Sequence, residues 1–419
     1  MSGVRYRFVF SSEDLEAGSN TGRGDLVAHS TPVAGPRPSA HLGGDSVKHK
    51  LLISATIVLA LALSSGAALA FHDGGVAYCA GCHTMHNSQN GNLVDVNHPA
   101  GNAYLLNNGN ASDTCLKCHA AYGQFAGGFG WGAGGDFYWV TKTFSWTSPR
   151  AGSTQGYTHG HNIVSPAYGI VRDPVLAAAP GGDFDSQYLT CTSCHDPHGN
   201  ENYRLLYGDE GTGPIYGGAR YDFDSPAPIA LGNSRRTLGN SPTGVPETDL
   251  SHTVYKSGMS EWCANCHTDL HAGNTTDFVH PTGEDMGSLV AATYNAYISS
   301  DETTGGDPTT SYRGLVPFEA VNVDLETVDP LNYTQGPTPQ DQVMCLTCHR
   351  SHASPFADAG RWDFTSTHLI SSHPQATDIG ASADDVANKD YGYTLVTNQR
   401  SLCNKCHVKD FGDAHYEAH

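Results

Sequence analysis

The chain has one long apolar run. Leu51 to Leu63 is interrupted only by Ser54 and Thr56, with Lys48 and Lys50 ahead of it and Ala68-Leu69-Ala70 behind it. A basic start, a short apolar centre and a small-residue end mark a secretory signal peptide. The run is too short to cross a bilayer, which takes roughly 20 residues. Residues 47–70 are therefore read as the leader, cleaved before Phe71. Such a leader opens near its start codon, so residues 1–46 are read as mistranslated upstream sequence, with translation beginning at Val47. The expected mature chain is 71–419, secreted and without a transmembrane anchor.

Beyond Phe71 the apolar positions lose their period. Helical spacing is weak except in short stretches such as Gly287 to Ser299, and turn-rich segments such as Gly127 to Phe137 separate them. With 48 glycines and 22 prolines, the pattern predicts short helices, a few short strands and mostly coil, without a clean domain boundary. Only 38% of the residues are apolar, too few to build a large core from side chains alone. Something other than protein must fill the interior.

The cysteines indicate what. All 12 fall in six copies of Cys-x-x-Cys-His: Cys79, Cys82, His83; Cys115, Cys118, His119; Cys191, Cys194, His195; Cys263, Cys266, His267; Cys345, Cys348, His349; and Cys403, Cys406, His407. Two thiols at this spacing reach the two vinyl groups of one porphyrin and form thioethers, and the next histidine ligates the iron. Zinc ribbons also use Cys-x-x-Cys, but they do not require a histidine after every pair. Disulfide frameworks of exported proteins seldom consist only of three-residue loops. The expected fold is a mostly irregular multihaem cytochrome c wrapped around a stacked array of six haem c groups. The motifs start at unequal intervals, so no repeat period is expected.

Methionine is scarce and histidine in surplus, which favours two histidines on each iron. His86, His198, His271 and His352 follow a proximal histidine by three or four positions. None can wrap round to the far face of its own porphyrin, so each serves a different haem or none, with ligands shared crosswise between motifs. His72, His161 and His280 complete the distal candidates. His159, His252, His368, His415 and His419 read as surface or propionate-binding histidines, with His98 and His373 in reserve. The aromatic stretch Phe137 to Trp146 reads as padding for porphyrin faces.

The net charge of −20 excludes nucleic acid, whose phosphates need a basic partner. Haem propionates add to that charge, and divalent cations are candidates at such acidic sites.

The chain resembles the extracellular hexahaem nanowire cytochromes. The resemblance is carried by FHDGGVAYCAGCHTMHNS (Phe71 to Ser88), GGDFYWVTKTFSW (Gly134 to Trp146), GHNIV (Gly160 to Val164) and CTSCHDPHG (Cys191 to Gly199). It continues in GMSEWCANCHTDLH (Gly258 to His271), CLTCHRSHAS (Cys345 to Ser354) and LCNKCHVKD (Leu402 to Asp410). The segments Glu201 to Pro246 and Glu302 to Gln340 diverge. The resemblance implies bis-His haems, irregular backbone and an end-to-end homopolymer. It also implies that His86 ligates a haem of the neighbouring subunit, the one attached at Cys345 and Cys348. The expected function is extracellular electron transfer from envelope redox proteins to an external acceptor. A monomeric carrier or a multihaem reductase is the alternative, and a reductase would reserve an open iron that these motifs do not signal.

Overall fold

Each of the six motifs begins on a short helical turn. In the computed structural model, which describes residues 79–120, 125, 132–148, 150–211, 213–233, 246–272 and 280–408, α-helix covers Cys79–Cys82, Ala111–His119, Met259–Ala264 and Cys345–Cys348. The other two motifs start on 3-10 turns, Cys191–Ser193 and Leu402–Lys405. On a helical turn, residues three and four apart share a face, so both thiols and the histidine are brought to one side. Ala111–His119 shows how the sequence sets such a turn. Asn110 caps it by accepting from the Asp113 N–H at 2.8 Å, Asp113 lies in its first turn and Lys117 in its last. Both charges suit the helix dipole.

Strands among the described residues are two to four residues long and pair in four antiparallel ribbons. In the first, Ser88–Gln89 pairs with Asn92–Leu93 through Asn90-Gly91, both left-handed at φ 53° and 81°. Asn-Gly is the dipeptide that a two-residue hairpin with right-handed twist selects. The rest is mostly coil and turn, as the glycine and proline content leads one to expect. The helix Gly287–Ala296 stops short of Ser299. Tyr297 turns extended and buries its ring, and Lys405 Nζ gathers the carbonyls of Tyr294, Tyr297 and Ser311 at 2.8–3.0 Å.

The apolar interior is divided into three small clusters, each packed against motif cysteines. Tyr294, Tyr312, Phe318 and Trp362 lean on Cys348 and Cys406. Trp139, Phe144, Ile163 and Ile170 lean on Cys191, and Met259 and Met344 lie beside Cys263. The aromatic stretch Phe137 to Trp146 thus does pack the interior, with Trp139 and Phe144 fully buried.

Of the histidines expected at the surface or on propionates, His159 and His252 are not at the surface. His159 is buried, its Nδ1 against the Trp139 carbonyl at 2.8 Å and its Nε2 against Thr154 Oγ1 at 2.7 Å. His252 is buried flat on Tyr312, 3.5 Å between ring centres. Ring stacking and packing, rather than solvent, account for both. His368 is exposed. The leader, the upstream segment, His72, His415 and His419 lie outside the described residues. Among the described residues no helix is long and apolar enough to cross a membrane.

Candidate haem centres

The motifs neighbour one another in chain order. Cys82 lies within electrostatic reach of Cys115 and Cys118, and the thiols of Cys115 and Cys191 are in hydrogen-bond contact. Burial pushes the Cys194 thiol up to about 12, with the nearby Cys266 thiol adding to it. Cys263 and Cys345 again touch, and Cys348 feels Cys406 and Cys403. First meets second, second meets third, and so on to the sixth. Among the described residues no cysteine is in a disulfide.

Among the described residues, four motif histidines face a second imidazole. The ring centres of His83 and His198 are 6.2 Å apart, those of His195 and His352 6.4 Å, His267 and His161 6.0 Å, and His407 and His280 6.4 Å. An iron between two imidazole nitrogens, each at about the usual 2 Å, separates the ring centres by roughly 6 Å. These pairs therefore fit a bis-His haem, and they join residues from different motifs. Burial holds His352 down to about 3 and His161 to about 4, so both rings stay neutral, as a metal ligand must.

The first, third and fifth motifs share a module that the unequal motif spacing hides. Each reads Cys-His-x-x-His, as CHTMH, CHDPH and CHRSH. Each is followed by two consecutive left-handed residues: Tyr104-Leu105, Arg204-Leu205 and Asp358-Ala359, all at φ between 52° and 58°. The carbonyl of the first residue accepts from the proximal Nδ1. His83 meets Tyr104 at 2.9 Å, His195 meets Arg204 at 2.8 Å and His349 meets Asp358 at 2.6 Å. Flanking main-chain bonds repeat too: Thr84 N to Leu105 O, Asp196 N to Leu205 O, and Arg350 N to Ala359 O. Asn107, Tyr207 and Arg361 then donate to Cys82, Cys194 and Cys348. The motifs keep no common period, as expected, yet three of them share this backbone module. The repeat lies in backbone conformation, and the first copy carries a longer insert between His83 and its turn. The CHxxH triplet was its sequence signal.

The fifth motif is held by a buried ion trio that sequence reasoning missed. Glu247 Oε2 accepts from Arg350 Nη1 at 3.0 Å and Arg361 Nη1 at 2.9 Å, all three side chains at most 2% exposed. Burial works against the Glu247 charge, but the two guanidinium groups outweigh it and hold the carboxyl below its ordinary value. Arg361 Nε also binds the carbonyls of Leu346 and His349, and Arg350 stacks 3.8 Å from the Tyr391 ring centre. Arg350 follows His349 directly, which was the available hint.

Among the described residues no second imidazole lies across from His349 at the paired spacing. His86 is exposed beside an open cavity of about 200 Å³ that Met85, Pro99 and Leu105 help to line. His271 turns its Nδ1 to Thr282 Oγ1 at 3.2 Å. The reserves are engaged by carboxylates, His98 by Asp95 at 2.8 Å and His373 by Asp378 at 2.5 Å. Among the described residues no three His, Cys, Asp or Glu side chains gather to hold a bare metal ion, so the cation considered for acidic sites has no protein cage there.

The chain is similar to known cytochromes in sequence and in fold. The chain is 34% identical to the C-type cytochrome OmcS of Geobacter sulfurreducens, over 84% of this chain and 97% of that protein. It also superimposes on the OmcS nanowires of that organism seen by cryo-EM, with a TM-score of 0.67, 30% identity, and coverage of 81% of this chain and 100% of that one. An outer membrane cytochrome S filament of Geobacter sulfurreducens matches at a TM-score of 0.65 and 31% identity, again over 81% of this chain and all of that one. No protein-family model matches.

Proposed function

The chain belongs to the OmcS family of c-type cytochromes, and on that premise we propose that it transfers electrons outside the cell through six haem c groups in a filament of its own copies. Twelve thioethers from the motif cysteines hold the porphyrins, with His83, His119, His195, His267, His349 and His407 as proximal ligands. The haems supply the one-electron chemistry. The chain's residues set spacing, keep the imidazoles neutral and exclude water. Contacts between successive motifs support a continuous stacked array. The four imidazole pairs support His198, His352, His161 and His280 as distal ligands of the first, third, fourth and sixth haems.

One observation carries the filament reading furthest. His198, three residues past the third proximal histidine, faces the first motif's His83, and His352, three past the fifth, faces the third motif's His195. Each CHxxH module thus supplies the ligand of the module before it. His86 holds the same place in the first module, and the series continued past the chain's start takes it to His349 of a neighbouring subunit. Met85 and Leu105, exposed apolar residues that line the same cavity as His86, suit burial against a second copy. His72 and His271 remain for the second haem, one of them surplus.

Every iron then has two histidines, which makes the protein an electron carrier rather than a reductase. The leader directs it through the envelope, where redox proteins load it, and the mature chain starts at Phe71. Intact mass of secreted protein tests the reading together with electron microscopy of sheared extracellular material. The expected result is a chain from Phe71 with six haems and no free thiol, in filaments. An unmodified cysteine pair, or zinc in place of haem, would contradict it.

A further inference from the structure

The geometry points to Tyr104-Leu105, Arg204-Leu205 and Asp358-Ala359 as positioning residues that lower the potentials of the first, third and fifth haems. Each pair holds a main-chain carbonyl against a proximal Nδ1. This rests on the reading that haems occupy the motifs.

Left-handed backbone is strained for a residue with a side chain, and two in succession are uncommon. Six such residues occupy these turns, and none is glycine in a chain with 48 glycines. A simple reversal would not need them, since the Asn90-Gly91 hairpin makes one with a favoured dipeptide. The three turns differ in sequence, and the first lies farther from its motif than the other two, yet all deliver the same carbonyl to the same ring nitrogen at 2.6–2.9 Å. Their common product is that bond.

An imidazole whose Nδ1–H donates to a carbonyl is a more basic, more anionic ligand. It stabilises ferric over ferrous iron, and so lowers the potential. The main-chain bonds on both sides of each turn fix the carbonyl in place. The fourth proximal histidine has a carbonyl of its own, Pro180 at 2.8 Å, delivered without a left-handed pair. The strained turns are thus a solution specific to the CHxxH modules.

Arg204 and Asp358 are exposed, and valine and glycine at either place lose the same charge and side-chain contacts, so comparing the two isolates the backbone. The test compares Arg204→Val and Asp358→Val, which resist the left-handed conformation, with Arg204→Gly and Asp358→Gly, which accept it freely. Filaments are checked for six haems by mass and titrated by spectroelectrochemistry. In each valine variant one haem's share of the titration should lie at higher potential than in the matching glycine variant, which loses the same charge, while the other five coincide. A fully loaded valine variant that titrates as its glycine counterpart would overturn the proposal. If a valine variant fails to load, alanine, which also resists the left-handed conformation, takes its place in the same comparison. Fewer than six haems in the unsubstituted protein would instead count against the reading on which the proposal rests.

Discussion

The main-chain N–H of His161 donates to the carbonyl of His352 at 2.9 Å, so two histidines that face different motifs are tied at their backbones. His161 faces His267 while His352 faces His195, and the His161 Nδ1 is fixed against the Ser351 carbonyl at 2.6 Å. Gly160 makes the approach close enough: a Cβ there would lie 2.3 Å from the His352 carbonyl oxygen and 2.6 Å from the Ala353 Cα.

This tie separates two substitutions. His352→Ala keeps the main-chain bond, so electron paramagnetic resonance should show one high-spin haem, the third, with the fourth still low-spin. Gly160→Ala pushes the two segments apart and should disturb both the third and the fourth. Equal effects from the two variants would refute the coupling.

Removing the Glu247 carboxylate leaves Arg350 and Arg361 buried without their shared partner. Breaking a buried pair in this way costs about 3–5 kcal/mol. Glu247→Ala should therefore lower the unfolding temperature sharply. Because Arg361 clamps the carbonyls of Leu346 and His349, limited proteolysis should first cut near the fifth motif. An unfolding temperature within a degree of wild type would mean that the trio adds little.

Glu319 gives a pH dependence. It is 1% exposed, its Oε1 accepts from the Met259 N–H at 2.8 Å and its Oε2 has no partner. Burial pushes its carboxyl up to about 7 from 4.5, and the Glu261 carboxylate adds to the effect. A raised carboxyl contributes stability that is complete below pH 4.5 and lost as pH rises through 7. Wild type should lose about 3 kcal/mol relative to Glu319→Gln across that window, by denaturant titration at each pH. Parallel curves for the two proteins would place the carboxyl at an ordinary value.

Much of this was legible in the sequence, for physical reasons. Covalent haem attachment demands an invariant spacing, so Cys79 to His407 announce themselves in sequence. The shortage of apolar residues and the frequency of glycine foretold the short elements. That His198 and His352 face motifs other than their own followed from their reach. Individual pairings, such as His161 with His267, did not follow, because they depend on long-range packing. The burial of His159 and His252 was not legible, because a ring nitrogen satisfied by Trp139 or a ring stacked on Tyr312 leaves no local mark. The left-handed pairs were invisible because they lie in backbone conformation and avoid glycine.

His86→Ala should uncouple assembly from haem attachment. The chain should still load six haems, but filaments should shorten to monomers and fragments with one high-spin haem in each. Gel filtration with optical spectra at each size would record both changes. Filaments of wild-type length would exclude a ligand role at the junction.

The most direct test is a cryo-EM map of wild-type filaments at a resolution that shows imidazole rings. The iron attached through Cys345, Cys348 and His349 should be joined by density to His86 of the adjacent subunit, with haems continuous across the junction. Density joining that iron to a histidine of its own chain, such as His271, or a gap in the haem row between subunits, would contradict it.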